Sequence, residues 1–221
     1  MEKINIKGRE LSYSPEYLSY ETSVPLNLEE AKKNLLDFKK IADENNLVFI
    51  LAYGTLLGAI REHNFIEHDI DIDLIVCDEE KLIDTIPMLQ NIGFDFIRYE
   101  INPLYYSFER NSVYIDVYIA SIVKNSYYLL NNKIKSSYIT DTQPYLFLDA
   151  SFLIPKEYKK IFIELYGKDW HIPQKNKYGD FQDHDIYKKI STYIKKFIPK
   201  KIKIMIKKIL GYKIQNSKEE R

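Results

Sequence analysis

Hydrophobic and polar positions follow two different periods along the chain, and these periods define the predicted elements. Across residues 27–45, apolar side chains recur every three or four positions, which predicts an amphipathic helix. Asn27 is suited to cap this helix, and Glu30 would complete a capping-box-like pair. LVFILAY at 47–53 is almost entirely apolar and predicts a buried strand. TLLGAIRE at 55–62 then predicts one or two helical turns.

A strict alternation follows in HDIDIDLIV at 68–76, which predicts a strand with Asp69, Asp71 and Asp73 on one face and aliphatic residues on the other. The tyrosine-rich stretch at 121–150 is ambiguous. The other predicted elements are a helix at 78–92 with a kink at Pro87, strands at 94–101, 104–110 and 112–120, and a helix at 154–167 beginning near Pro155 and ending at Gly167.

This order of elements predicts an α+β domain at residues 27–185, with a small mixed sheet flanked by helices. Residues 1–26 are mixed and polar, and they predict an irregular lead-in. Residues 186–221 form a separate segment in which Ile, Phe and Met recur at helical intervals among lysines. That pattern predicts a basic amphipathic helical tail, interrupted at Pro199.

Composition narrows the class of protein. The chain has 221 residues, 45% of them hydrophobic, which is enough for a well-packed core. Its one cysteine excludes an intramolecular disulfide and a cysteine-based zinc site. The sequence has no apolar run of about 18 residues and no secretory leader pattern at its start. A cytoplasmic protein is therefore the expectation.

The formal net charge of zero conceals a strong asymmetry between body and tail. Residues 186–221 carry a net charge of +10, and residues 1–185 carry −10. Lysines beside an apolar stripe favour binding to an anionic membrane surface, here the inner face of the membrane. Docking of the tail onto the acidic body or onto a partner chain is the alternative. Nucleic-acid binding is disfavoured because no recognition motif accompanies the charge.

The acidic strand carries the candidate chemistry. Carboxylates at every second position can place oxygens on one small cation such as Mg²⁺ or Mn²⁺. The alternative is an exposed strand with an acidic solvent face. Asp116, flanked by aliphatic residues in another predicted strand, needs a partner and favours a shared metal site.

A turn that could handle phosphate precedes the acidic strand. Gly54 and Thr55 end one predicted strand and open a helix, so they can present N–H groups and a hydroxyl to an anion. Arg61 follows as a cation that could neutralise phosphate. Together with the acids, these residues predict a metal-dependent site that transfers a phosphate-containing group.

Three ordered blocks resemble the LicD/fukutin-type phosphotransferases of the nucleotidyltransferase superfamily. They are GTLLGAIR followed by FIEHDIDIDL, then VYIDVY, then IPKEYKKIFIELYGKDWHIP, and they cover roughly residues 47–175. The resemblance implies a nucleotidyltransferase fold and divalent-metal chemistry. It also implies transfer of a phospho-alcohol, such as phosphocholine or ribitol phosphate, from a CDP-activated donor to a hydroxyl of a cell-surface glycan.

The resemblance also implies roles for individual residues. Asp71 and Asp73 match the last two acids of the signature and are expected to be catalytic metal ligands. Asp69 matches its first acid and would share the metal or orient the site, and Asp116 matches the later acid, a ligand or general base. The phosphate-handling turn and the basic residue after it correspond to Gly54, Thr55 and Arg61.

Two departures from the family pattern affect the expected donor. Glu67 and His68 stand where the signature has Pro-Trp, and Ile70 replaces its middle aspartate. The missing tryptophan removes an aromatic face that could bind a quaternary ammonium, so choline is not singled out. Two alternative functions remain open: a nucleotidyltransferase that releases pyrophosphate from a triphosphate, and a non-catalytic membrane-associated scaffold.

Overall fold

The structure is a computed structural model that describes residues 2–16 and 24–173. Its helices are α1 Leu28–Glu44, α2 Tyr53–Arg61, α3 Glu79–Asn91, α4 Ser137–Thr140 and α5 Tyr158–Tyr166. Its strands are β1 Glu2–Ile6, β2 Arg9–Tyr13, β3 Phe49–Leu51, β4 Asp71–Val76, β5 Asp95–Ile101, β6 Leu104–Arg110, β7 Val113–Ile119, β8 Ser121–Val123, β9 Ser126–Leu129, β10 Asn132–Ile134, β11 Thr142–Phe147 and β12 Ala150–Pro155.

A seven-stranded sheet organises the molecule, in the order β11-β12-β3-β4-β7-β6-β5. It is mixed: β4 pairs with β7 and β12 with β3 in parallel, and the other pairs are antiparallel. The hairpin β1–β2 and the three-stranded β8–β9–β10 form two further small sheets. The predicted α+β class, with a mixed sheet flanked by helices, is confirmed.

The two faces of the large sheet differ in chemistry because side chains alternate along each strand. One face is aliphatic and aromatic, and it packs in the main core with residues of α1 and α3. Four fully buried residues lie on this face: Ile72, Leu74, Ile115 and Val117. The opposite face of β4 and β7 carries the aspartates between these positions, so the core fixes the direction in which the acids point.

The start of α1 agrees with its predicted cap but not with the predicted capping box. The Asn27 side-chain carbonyl accepts the N–H groups of Glu29 and Glu30, at 3.2 and 3.3 Å. The Glu30 carboxylate, however, accepts a hydrogen bond from the Asn111 side chain at 2.8 Å. It therefore ties α1 to the turn after β6.

Two expectations about local structure are corrected, and the structure assigns one segment that the sequence left ambiguous. The lead-in expected to be irregular contains the β1–β2 hairpin, which Lys7 and Arg9 attach to α3 through ion pairs. Pro155 ends β12 and does not begin a helix; α5 starts at Tyr158 and stops at Gly167, whose φ is 85°. The ambiguous 121–150 segment forms β8 to β11 and α4 and begins β12.

The predicted tail at 186–221 lies outside the described residues, so its helix stays a prediction, as does the 27–185 boundary. Among the helices that the structure describes, none is long and apolar enough to cross a membrane.

Candidate active site

Strand register aligns four polar side chains in one row across the sheet. Asp73 on β4 pairs directly with Asp116 on β7. Asp116 pairs in turn with Ser107 on β6, and Ser107 with Arg98 on β5. Neighbouring strands lie about 4.8 Å apart, so the row spans roughly 14 Å. The two acids predicted on separate strands are thus brought side by side.

The Gly54–Thr55 turn meets this row at Asp73. The Gly54 N–H donates to Asp73 Oδ2 at 3.1 Å, and the Asp73 N–H donates to Thr55 Oγ1 at 2.9 Å. Thr55 is fully buried. The anion at the start of α2 is therefore the carboxylate of Asp73. In this structure Gly54 and Thr55 position an acid, and their contact with phosphate stays a prediction.

Asp69 precedes β4 and does not belong to the strand face predicted for it. Its backbone carbonyl accepts the Leu26 N–H at 2.8 Å, and its Oδ1 accepts the Ile70 N–H at 3.1 Å. Its Oδ2 lies 2.3 Å from the position that a Cβ on Gly54 would occupy. Glycine at 54 is thus required by the close approach of this carboxylate.

Gly58, the second glycine of GTLLGAIR, is required by a different close contact. A Cβ at Gly58 would lie 2.6 Å from the Asn64 carbonyl and 3.0 Å from the Ile66 nitrogen. The missing side chain lets the segment that leads to Asp69 cross closely over α2. The missing side chains of both glycines therefore allow Asp69 and the segment before it to pack closely against α2.

Burial dominates the electrostatics of the acids. It raises the pKa of Asp69 from 3.8 to about 6. Burial raises the pKa of Asp71 and Asp73 well above the usual range, and the charges of neighbouring aspartates raise them further. The pKa of Asp116 is raised mainly by burial. Ionising these four neighbouring carboxyl groups at neutral pH is therefore costly, and a bound cation would stabilise their charged forms.

Two carboxylate oxygens indicate where such a cation would fit. Asp69 Oδ2 and Asp116 Oδ1 are buried without a hydrogen-bond partner in the structure. Within residues 2–16 and 24–173, no three His, Cys, Asp or Glu side chains already stand in a metal-binding arrangement. The carboxylates would thus have to converge on the ion. They supply the oxygen donors that Mg²⁺ and Mn²⁺ prefer.

Arg61 lies at the other end of α2, away from the Gly54 turn. Its Nε donates to Glu62 at 2.7 Å, and its Nη1 donates to the Trp170 carbonyl at 3.0 Å. The Trp170 ring packs on Phe162 of α5, with 4.8 Å between the ring centroids. Arg61 thus ties α2 to the segment after α5, and contact with phosphate stays a prediction.

Tyrosines that sequence analysis did not assign to the site surround the acids. The Tyr118 hydroxyl donates to Asp73 Oδ1 at 3.2 Å, and its ring contacts Tyr53 at 5.2 Å. Burial raises the pKa of Tyr53 and Tyr166, and the charge of Asp73 raises both further. Tyr118 could have been found from its position two residues after Asp116, which puts both side chains on one face.

Comparison with known sequences identifies the family. The sequence model described as LicD/FKTN/FKRP, nucleotidyltransferase domain, matches residues 46–157, about half of the chain. The chain belongs to the LicD/FKTN/FKRP family. The matched LicD/FKTN/FKRP region runs from the end of α1 to just after β12 and contains every predicted site residue. Membership in this family gives the chain a nucleotidyltransferase domain.

Individual relatives are distant. The chain is 27% identical over 138 residues to an uncharacterized protein of Rickettsia prowazekii (strain Madrid E), covering 59% of this chain and 47% of that protein. It therefore spans about half the length of this curated relative. Among solved structures, the antibiotic-resistance factor ANT(2'')-Ia in solution is 16% identical, with a TM-score of 0.45 over 65% of this chain and 77% of that chain. ANT(2'')-Ia in complex with adenylyl-2''-tobramycin gives a TM-score of 0.42 at 16% identity, over 63% and 80% of the two chains.

Proposed function

We propose that this protein is a metal-dependent phosphotransferase that moves a phospho-alcohol from a CDP-activated donor to a hydroxyl of a cell-surface glycan. The transferred group would be of the phosphocholine or ribitol-phosphate kind. Membership in the LicD/FKTN/FKRP family supports transfer chemistry. The observation that carries the proposal is the in-register pair of Asp73 and Asp116, both buried.

The carboxylates are suited to hold Mg²⁺ or Mn²⁺. Asp71, Asp73 and Asp116 lie on one face of two paired strands, and Asp69 is close enough for its charge to raise the pKa of Asp71. Asp69 would complete or orient this set. A bound cation would neutralise the acids and withdraw charge from phosphate oxygens.

In the proposed transfer, the acceptor hydroxyl oxygen forms a bond to the phosphorus that carries the alcohol. The bond from that phosphorus to the oxygen bridging to CMP breaks, and its electron pair leaves with CMP. The hydroxyl proton passes to a carboxylate, for which we propose Asp116.

The acceptor and the predicted tail suggest where the reaction takes place. A glycan carried on a lipid would lie at the membrane, and the net charge of +10 on residues 186–221 suits an anionic surface. We therefore propose that the enzyme works at the inner face of the membrane as a peripheral protein. Vesicles with and without anionic lipid test this: only anionic vesicles should retain the protein, and salt should release it.

The activity is tested with purified protein, Mg²⁺, a panel of CDP-alcohols and nucleoside triphosphates, and glycan acceptors. CMP release that depends on the acceptor would support the proposal and name the donor. Pyrophosphate release would identify a nucleotidyltransferase acting on triphosphates instead. Asp71→Asn serves as the inactive variant, and Asp149→Asn, whose side chain is 93% exposed, is the matched surface control.

A further inference from the structure

Arg98 occupies the end of the polar row that begins with the paired acids. Two strand spacings separate it from Asp116, about 9.5 Å between backbones. An extended arginine side chain can cover most of that distance. Among the residues that β4, β5, β6 and β7 place on this face, Arg98 is the one cation.

The surroundings of Arg98 fix its guanidinium beside the site. Glu100 Oε1 accepts a hydrogen bond from its Nε at 2.8 Å and lies 2.7 Å from its Nη2 in an ion pair, so one of its five N–H donors is used in a hydrogen bond. The guanidinium lies over the Tyr105 ring, 5.0 Å from the centroid. The Tyr105 ring contacts Tyr118 at 5.7 Å, and Tyr118 donates to Asp73. An unbroken series of contacts therefore joins Arg98 to the acids.

A buried polar group, Ser107, lies between Arg98 and Asp116 in the row. Ser107 is fully buried, and its hydroxyl has no hydrogen-bond partner in the structure. The adjacent Asp116 Oδ1 is also buried, and no hydrogen bond meets the geometric criteria there. The two side chains are neighbours across β6 and β7, so the Ser107 hydroxyl can donate to the Asp116 carboxylate and continue the polar row from Arg98 to the acids.

We propose that Arg98 selects the alcohol attached to the transferred phosphate, favouring a polyol or an anionic alcohol over a quaternary ammonium. This rests on the proposed phosphotransferase function. The remaining N–H donors of Arg98 can bind hydroxyl or acid oxygens, and an ammonium offers no such acceptor. Tyr105 already has a cation over its ring, so a second cation would be repelled there and not held as in an open aromatic cage.

The proposal is tested by the binding of two small probes to the full chain with Mg²⁺, sn-glycerol 3-phosphate and phosphocholine. Wild-type protein should bind the polyol phosphate at least about tenfold more tightly, measured by calorimetry and by the rise in Tm. Arg98→Gln should reduce this preference about tenfold or more. Arg98→Lys, which keeps the charge but not the forked donors, should weaken the polyol probe while still excluding phosphocholine.

Two further variants separate selectivity from folding. Arg98→Gln leaves Glu100 without its partner, so the double variant Arg98→Gln/Glu100→Gln should show the same loss of preference in a folded protein. Arg9→Gln removes another carboxylate-paired arginine, on the β1–β2 hairpin, and should leave the preference unchanged.

Equal affinity for both probes in wild-type protein, no binding of either, or an unchanged preference in Arg98→Gln would each overturn the proposal. Probe binding does not require turnover, so the two proposals can fail separately. A preserved preference without CMP release would reject the reaction and support the selectivity of Arg98.

Discussion

Asp73 and Asp116 stand directly opposite each other on two parallel strands, β4 and β7, although they are 43 positions apart in the chain. Their flanking residues, Ile72, Leu74, Ile115 and Val117, are fully buried in the core on the other face of the sheet. Packing of that core therefore forces two carboxylates together at the cost of mutual repulsion. Such a conflict is characteristic of a site built for a bound cation.

Gly54→Ala tests the close contact between the start of α2 and Asp69. The added Cβ would lie 2.3 Å from Asp69 Oδ2, so something must shift. We predict a loss of about 1–3 kcal/mol in the free energy of unfolding, measured by urea denaturation, and a large loss of activity. The double variant Gly54→Ala/Asp69→Ala should recover most of the stability, since the clashing carboxylate is gone. A fully stable single variant would contradict this packing.

Thr55→Val tests whether this residue positions Asp73. The substitution removes the hydroxyl that accepts the Asp73 N–H at 2.9 Å, leaving a buried donor without a partner. Thermal and urea unfolding should show a loss of about 1–3 kcal/mol. Thr55→Ser keeps the hydroxyl and should retain the hydrogen bond. If valine and serine variants were equally stable, the hydrogen bond would have no measurable role.

The raised pKa of Asp69 predicts how stability depends on pH without metal. The unfolded chain loses this proton near pH 3.8 and the folded chain near pH 6, so the unfolded state binds fewer protons between these values. Stability should therefore fall as pH rises through this window. Asp71, Asp73 and Asp116, whose pKa values are also raised, act in the same direction.

Metal binding should reverse this trend. A cation binds the ionised carboxylates, so Mg²⁺ or Mn²⁺ should raise Tm more at pH 7.5 than at pH 5. Asp73→Asn should raise Tm in the absence of metal at pH 7.5 and remove most of the increase that metal gives. A metal effect of equal size at both pH values would argue against binding at these acids.

How far the sequence specifies the site can be judged from particular residues. The alternation in 68–76 and the apolar flanks of Asp116 were local signals, and they predicted both acid-bearing strands. The hydrogen bonds of Gly54 and Thr55 with Asp73 were not predicted, because Asp73 lies 18 or more positions away. Arg98 was not found at all. Its place in the row depends on the register of β5, β6 and β7, and no local pattern encodes register.

Local patterns also failed where tertiary contacts decide the structure. The hairpin at 2–13 has a mixed polar sequence, and its ion pairs with α3 join residues about 70 positions apart. Pro155 resembled a helix start because proline favours the first turn. In the structure Pro155 is the last residue of β12, and it pairs with Thr142 of β11.

The most direct test of the central claim is a titration of Mn²⁺ into the protein at pH 7.5, followed by electron paramagnetic resonance, with and without CMP. We predict tight Mn²⁺ binding by wild-type protein and by Asp149→Asn. In Asp73→Asn and in Asp116→Asn the affinity should fall at least about tenfold, because each loses one of the paired carboxylates. Unchanged Mn²⁺ affinity in both variants would contradict the claim that these two aspartates jointly hold the metal.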